Sequence, residues 1–283
     1  MSTEHKTLTY DGKVIFEKVA FDSFKRGPKN FNEKEACFMF VQEGAIELRT
    51  PDDNLSFHSG EAMLAKCGNY FFEQPARERH AGNFRTRVIG IYLYPTVIKE
   101  IFDFDFSKST HETSYASTRV NMDGLMENFR TGIEFLIDNP SVVDDELIKT
   151  KLKEFVLLLS KTENAPSLQD FAASLFKPRE CDFKTTVENN IYSSLSIDEF
   201  ARLTSTSVAT FKRKFTSIYE VSPGKYLAQR KVEKSLKMLK SSEELVVNIA
   251  YDCGFENIST FNRCFKKQVG ISPSEYRLSQ IAH

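Results

Sequence analysis

Residues 210–215 read Thr-Phe-Lys-Arg-Lys-Phe, and residues 260–265 read Thr-Phe-Asn-Arg-Cys-Phe. Each is followed at the same distance by the same tail, Val221-Ser222-Pro223-x-x-Tyr226 and Ile271-Ser272-Pro273-x-x-Tyr276. A motif that recurs at one period is one supersecondary unit used twice. In each copy two Phe four apart share a helix face, and an Arg in the same place lies between them on another. The pattern predicts two small helices, each buried on one side and polar or basic on the other.

The flanking residues complete two helix-turn-helix units. Phe183 to Tyr192 reads as a first helix, with Val187 and Ile191 on one face. Ser196-Ile197-Asp198-Glu199 has the residues of a helix start with an acid at the third following position. Phe200, Ala201 and Leu203 are expected inside, Thr204-Ser205-Thr206 turns the chain, and Ser207 caps a recognition helix over 208–215. Ser222-Pro223 opens a linker helix running to about Lys240, with Tyr226, Val232, Leu236 and Leu239 inward. At 1.5 Å per residue it spans about 25 Å, which with its turns can separate two recognition helices by about one DNA turn. Ile249-Ala250 then repeats Phe200-Ala201, and Gly254-Phe255 makes the second turn. The second copy is one residue longer here.

Charge follows the same division. Residues 181–283 carry 15 Lys/Arg against 11 Asp/Glu, whereas residues 1–180 carry 23 against 28. A basic excess coinciding with the repeated helices favours a nucleic acid as the partner of that half. No run of about 18 apolar residues exists, and Met1-Ser2-Thr3-Glu4-His5-Lys6 has no apolar signal core, so a cytoplasmic protein without membrane contact is expected. Cys37, Cys67, Cys181, Cys253 and Cys264 are odd in number and lack C-x-x-C spacing, which points to reduced thiols.

Residues 13–95 read as β-structure. The expected strands are 36–42, 45–49, 55–58, 62–66, 70–73 and 87–94, separated by turns at Gly44, Pro51-Asp52-Asp53-Asn54 and Ser59-Gly60. Strands this short and this frequent suggest a barrel or sandwich. The order of strand, Gly44, strand, polar turn, Ser59-Gly60-Glu61, strand and Gly68 resembles the sensor barrel of the cupin superfamily. Catalytic cupins gather a metal with a His-x-His pair, whereas the histidines here are His5, His58, His80, His111 and His283, so no metal is expected. Phe38, Phe40, Phe57, Tyr70, Phe72 and Tyr92 are the candidate lining of an effector pocket, the alternative being that these rings are core. Over 119–162 the period becomes helical, and Asp138-Asn139-Pro140-Ser141 separates two helices. Ile148, Leu152, Phe155 and Leu159 approximate a heptad stripe, either a dimerisation seam or a cover for the barrel.

Residues 183–281 resemble the DNA-binding domain of the AraC/XylS family of bacterial transcription regulators. The specific stretch runs Ile249-Ala250-x-x-x-Gly254-Phe255-x-x-x-Ser259-x-Phe261-x-Arg263-x-Phe265-Lys266-Lys267-x-x-Gly270-Ile271-Ser272-Pro273-x-x-Tyr276-Arg277. Ser205, where the turn glycine is common, and Ser235, where alanine is frequent, depart from the pattern. The resemblance implies both recognition helices in successive major-groove segments, usually activating transcription. On that basis Ala209, Thr210, Lys212 and Arg213 in the first unit, and Asn257, Ser259, Asn262, Arg263, Lys266 and Lys267 in the second, face DNA. Lys and Arg suit guanine or phosphate, and Asn262 suits adenine.

The expected architecture is α+β: a cupin-like β-barrel (1–118), a helical dimerisation or linker region (119–178), and an AraC-type domain of two helix-turn-helix units on a linker helix (179–283). The expected partners are double-stranded DNA, RNA polymerase, a small-molecule effector or regulatory protein, and a second copy of the chain. No cofactor and no catalytic residue is expected. The competing reading is a cupin-type enzyme with a helical accessory domain.

Overall fold

The computed structural model describes residues 2–22, 24–28, 35–75, 85–113, 115–162, 166–178 and 181–281. His80 and the Arg179-Glu180 segment fall outside them. Backbone contacts divide the chain into two units, residues 1–50 with 54–180, and residues 181–283 with 51–53.

Among the described residues the first unit is built on ten strands in two antiparallel sheets. The larger has the order β1 (Ser2–Tyr10), β2 (Lys13–Phe21), β9 (Thr86–Leu93), β4 (Ala36–Glu43), β7 (Ala62–Ala65), β10 (Ser117–Val120). The smaller has the order β3 (Arg26–Pro28), β8 (Phe71–Glu73), β5 (Ala45–Arg49), β6 (Asn54–His58). Six consecutive residues of β4, Ala36–Val41, are buried, because both faces of the larger sheet are covered. Cys37, Met39 and Val41 join Ile46, Leu48 and Phe57 of the smaller sheet in one core. Ala36, Phe38 and Phe40 point the other way, into a second core shared with helices. That alternation is the two-residue period of a strand.

Those helices are α1 (Pro95–Phe102), α2 (Gly124–Asp138), α3 (Asp145–Ser160) and α4 (Leu168–Leu175). Asp123, Asp144 and Ser167 cap α2, α3 and α4 through their side chains. The heptad stripe of α3 covers the sheet: Ile148, Leu152, Phe155 and Leu159 are each at most 5% exposed and belong to the second core. Phe155 packs its ring on Phe38 at 4.9 Å and on Phe129 of α2 at 5.2 Å. The apolar surface of these four, expected either as a dimerisation seam or as a cover for the barrel, is buried within the chain, which favours the cover.

A polar cluster docks α2 on the sheet. Lys18 of β2 donates to Asp138 at 2.8 Å and lies 3.0 Å from Glu134, while Lys6 donates to Asp138 and Gln42 to Glu134. The bond from Lys18, with that from Lys6, holds the Asp138 carboxyl below its ordinary range. Burial pushes Glu134 up, but the bonds from Gln42 and Lys18 outweigh it and bring it down. Carboxyls depressed in the fold stabilise it above their ordinary range and lose that contribution as pH falls through their folded values. The stability of this unit is expected to show a plateau above about pH 5 and to fall below about pH 4. In Asp138→Asn the acid dependence should be shallower; an unchanged profile of melting temperature against pH would remove the cluster from the account.

The second unit is helical. It contains α5 (Phe183–Asn190), α6 (Ile197–Leu203), α7 (Val208–Tyr219), α8 (Pro223–Ser241), α9 (Val246–Asp252), α10 (Ile258–Val269) and α11 (Pro273–Ile281). Ser196 and Glu199 form a full capping box at α6. Ser222 precedes Pro223 at α8, but its side chain accepts no capping bond there.

Candidate nucleic-acid interface

The repeat in the sequence is a repeat in geometry. In the first unit Ser205 N–H bonds to Arg202 O and Thr206 N–H to Ala201 O; in the second Gly254 N–H bonds to Tyr251 O and Phe255 N–H to Ala250 O. Each pair is the signature of a helix closed by a left-handed residue. That residue is Ser205 at φ 53° in one copy and Gly254 at φ 82° in the other. The two turns therefore match up to Thr206 and Phe255. The extra residue of the second copy, Glu256, is inserted just before the cap.

Both recognition helices, α7 and α10, are capped three residues ahead of a Thr N–H: Ser207 Oγ accepts from Thr210 N at 3.2 Å, and Asn257 Oδ1 from Thr260 N at 2.8 Å. Phe211 and Phe215 are fully buried with ring centroids 5.7 Å apart; Phe261 and Phe265 are fully buried at 5.5 Å. The following tails repeat as well, with Tyr226 edge-on to Phe215 at 5.6 Å and Tyr276 edge-on to Phe265 at 5.8 Å. One aromatic face of each helix is thereby locked inward, and the residues between the rings turn outward.

Ala209, Lys212, Arg213, Asn257, Ser259, Asn262, Arg263, Lys266 and Lys267 are exposed, and Thr210 is half-buried. Two of them serve the fold as well: Asn257 spends its carbonyl on the cap, and the Thr210 hydroxyl accepts a hydrogen bond from Ser207. Among the described residues Lys212, Arg213, Arg263, Lys266 and Lys267 make no ion pair.

Lys231 of α8 is a buried charge that sequence reading passed over. It is 9% exposed and donates from Nζ to Ser193 O at 2.6 Å and Gly254 O at 2.9 Å. Its phase carried the signal, since Leu227, Lys231 and Ser235 lie at spacings of four and all three are buried. Gly254 itself sits where a Cβ would lie 2.2 Å from the Tyr192 carbonyl oxygen.

The six aromatic residues expected to line an effector pocket are divided between the two cores of the first unit. Phe38 and Phe40 face the helices, whereas Phe57 and Tyr70 lie between the sheets with Phe72 packed beside them. Tyr92 packs against both and donates its hydroxyl to Glu17. Phe38 and Phe40 thus lie in a different core from Phe57 and Tyr70, which favours the alternative that these rings are core. Among the described residues no three His, Cys, Asp or Glu side chains gather as metal ligands, and no helix is long and apolar enough to cross a membrane. Burial pushes the Cys253 thiol up to about 12, so it is packing and not a nucleophile at neutral pH.

Two helix-turn-helix units with matched turns, matched caps and one shared helix define a double helix-turn-helix protein. A helix-turn-helix domain model matches residues 200–279, and the ExsA N-terminal regulatory domain model matches residues 36–171. The chain is 25% identical over 258 residues to the HTH-type transcriptional regulator ExsA of Pseudomonas aeruginosa, covering 87% of each. It is 27% identical over 145 residues to the virulence regulon transcriptional activator VirF of Yersinia enterocolitica, 51% of this chain and 52% of that one. It thus spans about half the length of VirF. The crystal structure of ToxT from Vibrio cholerae is 16% identical, covers 93% of this chain and 98% of its own, and superposes with a TM-score of 0.37. The chain belongs to the AraC/XylS family of transcription regulators.

Proposed function

We propose that the protein binds double-stranded DNA sequence-specifically through α7 and α10, and regulates transcription, in the sense of activation, by recruiting RNA polymerase. In this reading it works in the cytoplasm as a regulator and not as an enzyme, and a small molecule or partner protein acts on it through the first unit. The observation that carries the reading is the pair of capped helices whose Phe faces are buried alike while their unpaired Lys and Arg lie outward. The match of residues 36–171 to a regulatory domain supports control from the first unit.

In direct contact with a guanine, Arg263 donates two bonds, worth about 1–3 kcal/mol of discrimination. Arg263→Ala is therefore expected to weaken binding to a genomic duplex selected by the parent protein by about 5- to 150-fold. Binding to unrelated DNA should change little. Phosphate contacts from Lys266 and Lys267 should appear as a loss of affinity with salt, log K falling by roughly 0.9 per contact per decade. Fluorescence anisotropy with labelled duplexes reads both, and parental affinity in the Arg263 variant would displace the reading face from α10.

A further inference from the structure

The linker helix α8 fixes how far apart the two helix-turn-helix units stand, and it packs into both, with Tyr226 on Phe215 and with Val232 and Leu239 in one core with Phe261 and Phe265. Residues 220–222 connect the first unit to α8, and residues 242–245 connect the second. Besides that packing the two units touch directly, at Gly254. The Gly254 backbone approaches the backbone of Tyr192 and Ser193, which follow α5 in the first unit, so closely that no side chain fits between them. Lys231 then spans the junction, with Ser193 O of the first helix-turn-helix and Gly254 O of the second helix-turn-helix on one ammonium. Lys234, about one turn further along α8, repeats the arrangement: it donates to Asp252 O of the second unit at 2.7 Å and lies 4.4 Å from the Tyr192 ring of the first.

We propose that Lys231, seconded by Lys234, pins the two units in the one relative orientation that lets both recognition helices engage the same duplex. It is a positioning residue, and its importance to binding rests on the DNA reading above. A lysine ammonium has three donors and no acceptor, so it can hold two carbonyls at once. A swivel that lengthens either bond without admitting water would leave the buried ammonium with a donor unmatched, which costs more than losing an exposed hydrogen bond. The charge thus converts a simple backbone contact into a single preferred angle.

The test uses the full-length chain with Cys181→Ser and Cys264→Ser and spin labels at Ser217→Cys and Gln268→Cys, both exposed positions at the far ends of α7 and α10. Pulsed electron resonance should give a narrow label-to-label distance distribution in the parent and in K231R, which keeps the charge and the donors. K231M should broaden it with helix content unchanged by circular dichroism. K234M, which breaks only the half-buried bridge, is the milder companion should K231M melt below the working temperature, and it is expected to broaden the distribution in the same direction. On a duplex selected by the parent protein, K231M should bind at least about tenfold more weakly, a loss of roughly 1.4 kcal/mol. With one half of that duplex scrambled, so that a single helix is engaged, the two proteins should bind alike. A distribution as narrow in folded K231M and K234M as in the parent overturns the pin. Broadening without loss on the intact duplex leaves the pin standing and overturns the reading in which both helices engage one duplex.

Discussion

Replacing Gly254 with alanine is expected to unfold the second helix-turn-helix unit at ordinary temperatures. Two independent costs coincide there. The residue sits at φ 82°, where an L side chain is strained by roughly 1–2 kcal/mol. Its new methyl group would also lie 2.2 Å from Tyr192 O and 2.7 Å from Ser193 O. Those are backbone atoms at the junction held by Lys231, and they cannot rotate aside as a side-chain tip would. The combined loss is expected to be about 3–5 kcal/mol, near the upper end for a single substitution. For a unit of this size that lowers the melting temperature by about 15 °C or more. Ser205 supplies the control, because it occupies the same left-handed position of the first turn as an L residue at φ 53°. Ser205→Gly relieves strain but frees the unfolded chain, so stability should stay within about 1 kcal/mol of the parent. Calorimetry of the full chain separates the two cases. A Gly254→Ala transition within a few degrees of the parent would mean that the close approach is not what holds the units together.

That pair also shows what the sequence could and could not reveal. The repeat was legible because Phe, Arg, Ser-Pro and Tyr recur at fixed offsets; the Phe pairs and the Tyr pack alike in both copies, whereas Ser272 accepts a capping bond from Glu275 N and Ser222 accepts none. Ser205 looked like a departure, yet backbone hydrogen bonding holds it in the turn that glycine makes elsewhere. The expected strands from 36 to 94 were legible as short apolar runs between turn residues. β1 was not: Ser2-Thr3-Glu4-His5-Lys6-Thr7 is polar, and only its pairing with β2 makes it a strand. α1 could have been seen, since Pro95 stands at a helix start and Val97, Ile98 and Ile101 follow at helical spacing. Lys231 was missed because a charge on a helix is ordinarily read as surface, and the carbonyls that receive it lie far away in sequence. The division of the aromatic set between two cores was hidden for a different reason. Ring count says nothing about which face of a sheet a ring points to, and that depends on register between strands far apart in sequence.

The same ambiguity governed the stripe on α3, and its resolution leads to the other large effect. A heptad of apolar residues looks identical whether it meets a second subunit or the chain's own sheet. Here Phe155 is fully buried between Phe38 and Phe129, so Phe155→Ala should open a cavity in the regulatory unit and cost about 3–5 kcal/mol. Were the stripe instead a subunit seam, the same change would alter molecular mass in solution and leave each chain as stable as before. Leu157, two residues along and 40% exposed, marks the opposite face of the helix. Leu157→Ser should leave stability within about 0.5 kcal/mol. Chemical denaturation and light scattering on the two variants decide the matter together. Loss of stability in Phe155→Ala at constant mass places the stripe in the core, whereas a mass change with stability retained would return it to an interface. The physical reason to expect the first result is that Phe155 has no apolar surface left to offer a partner without first leaving the sheet that it covers.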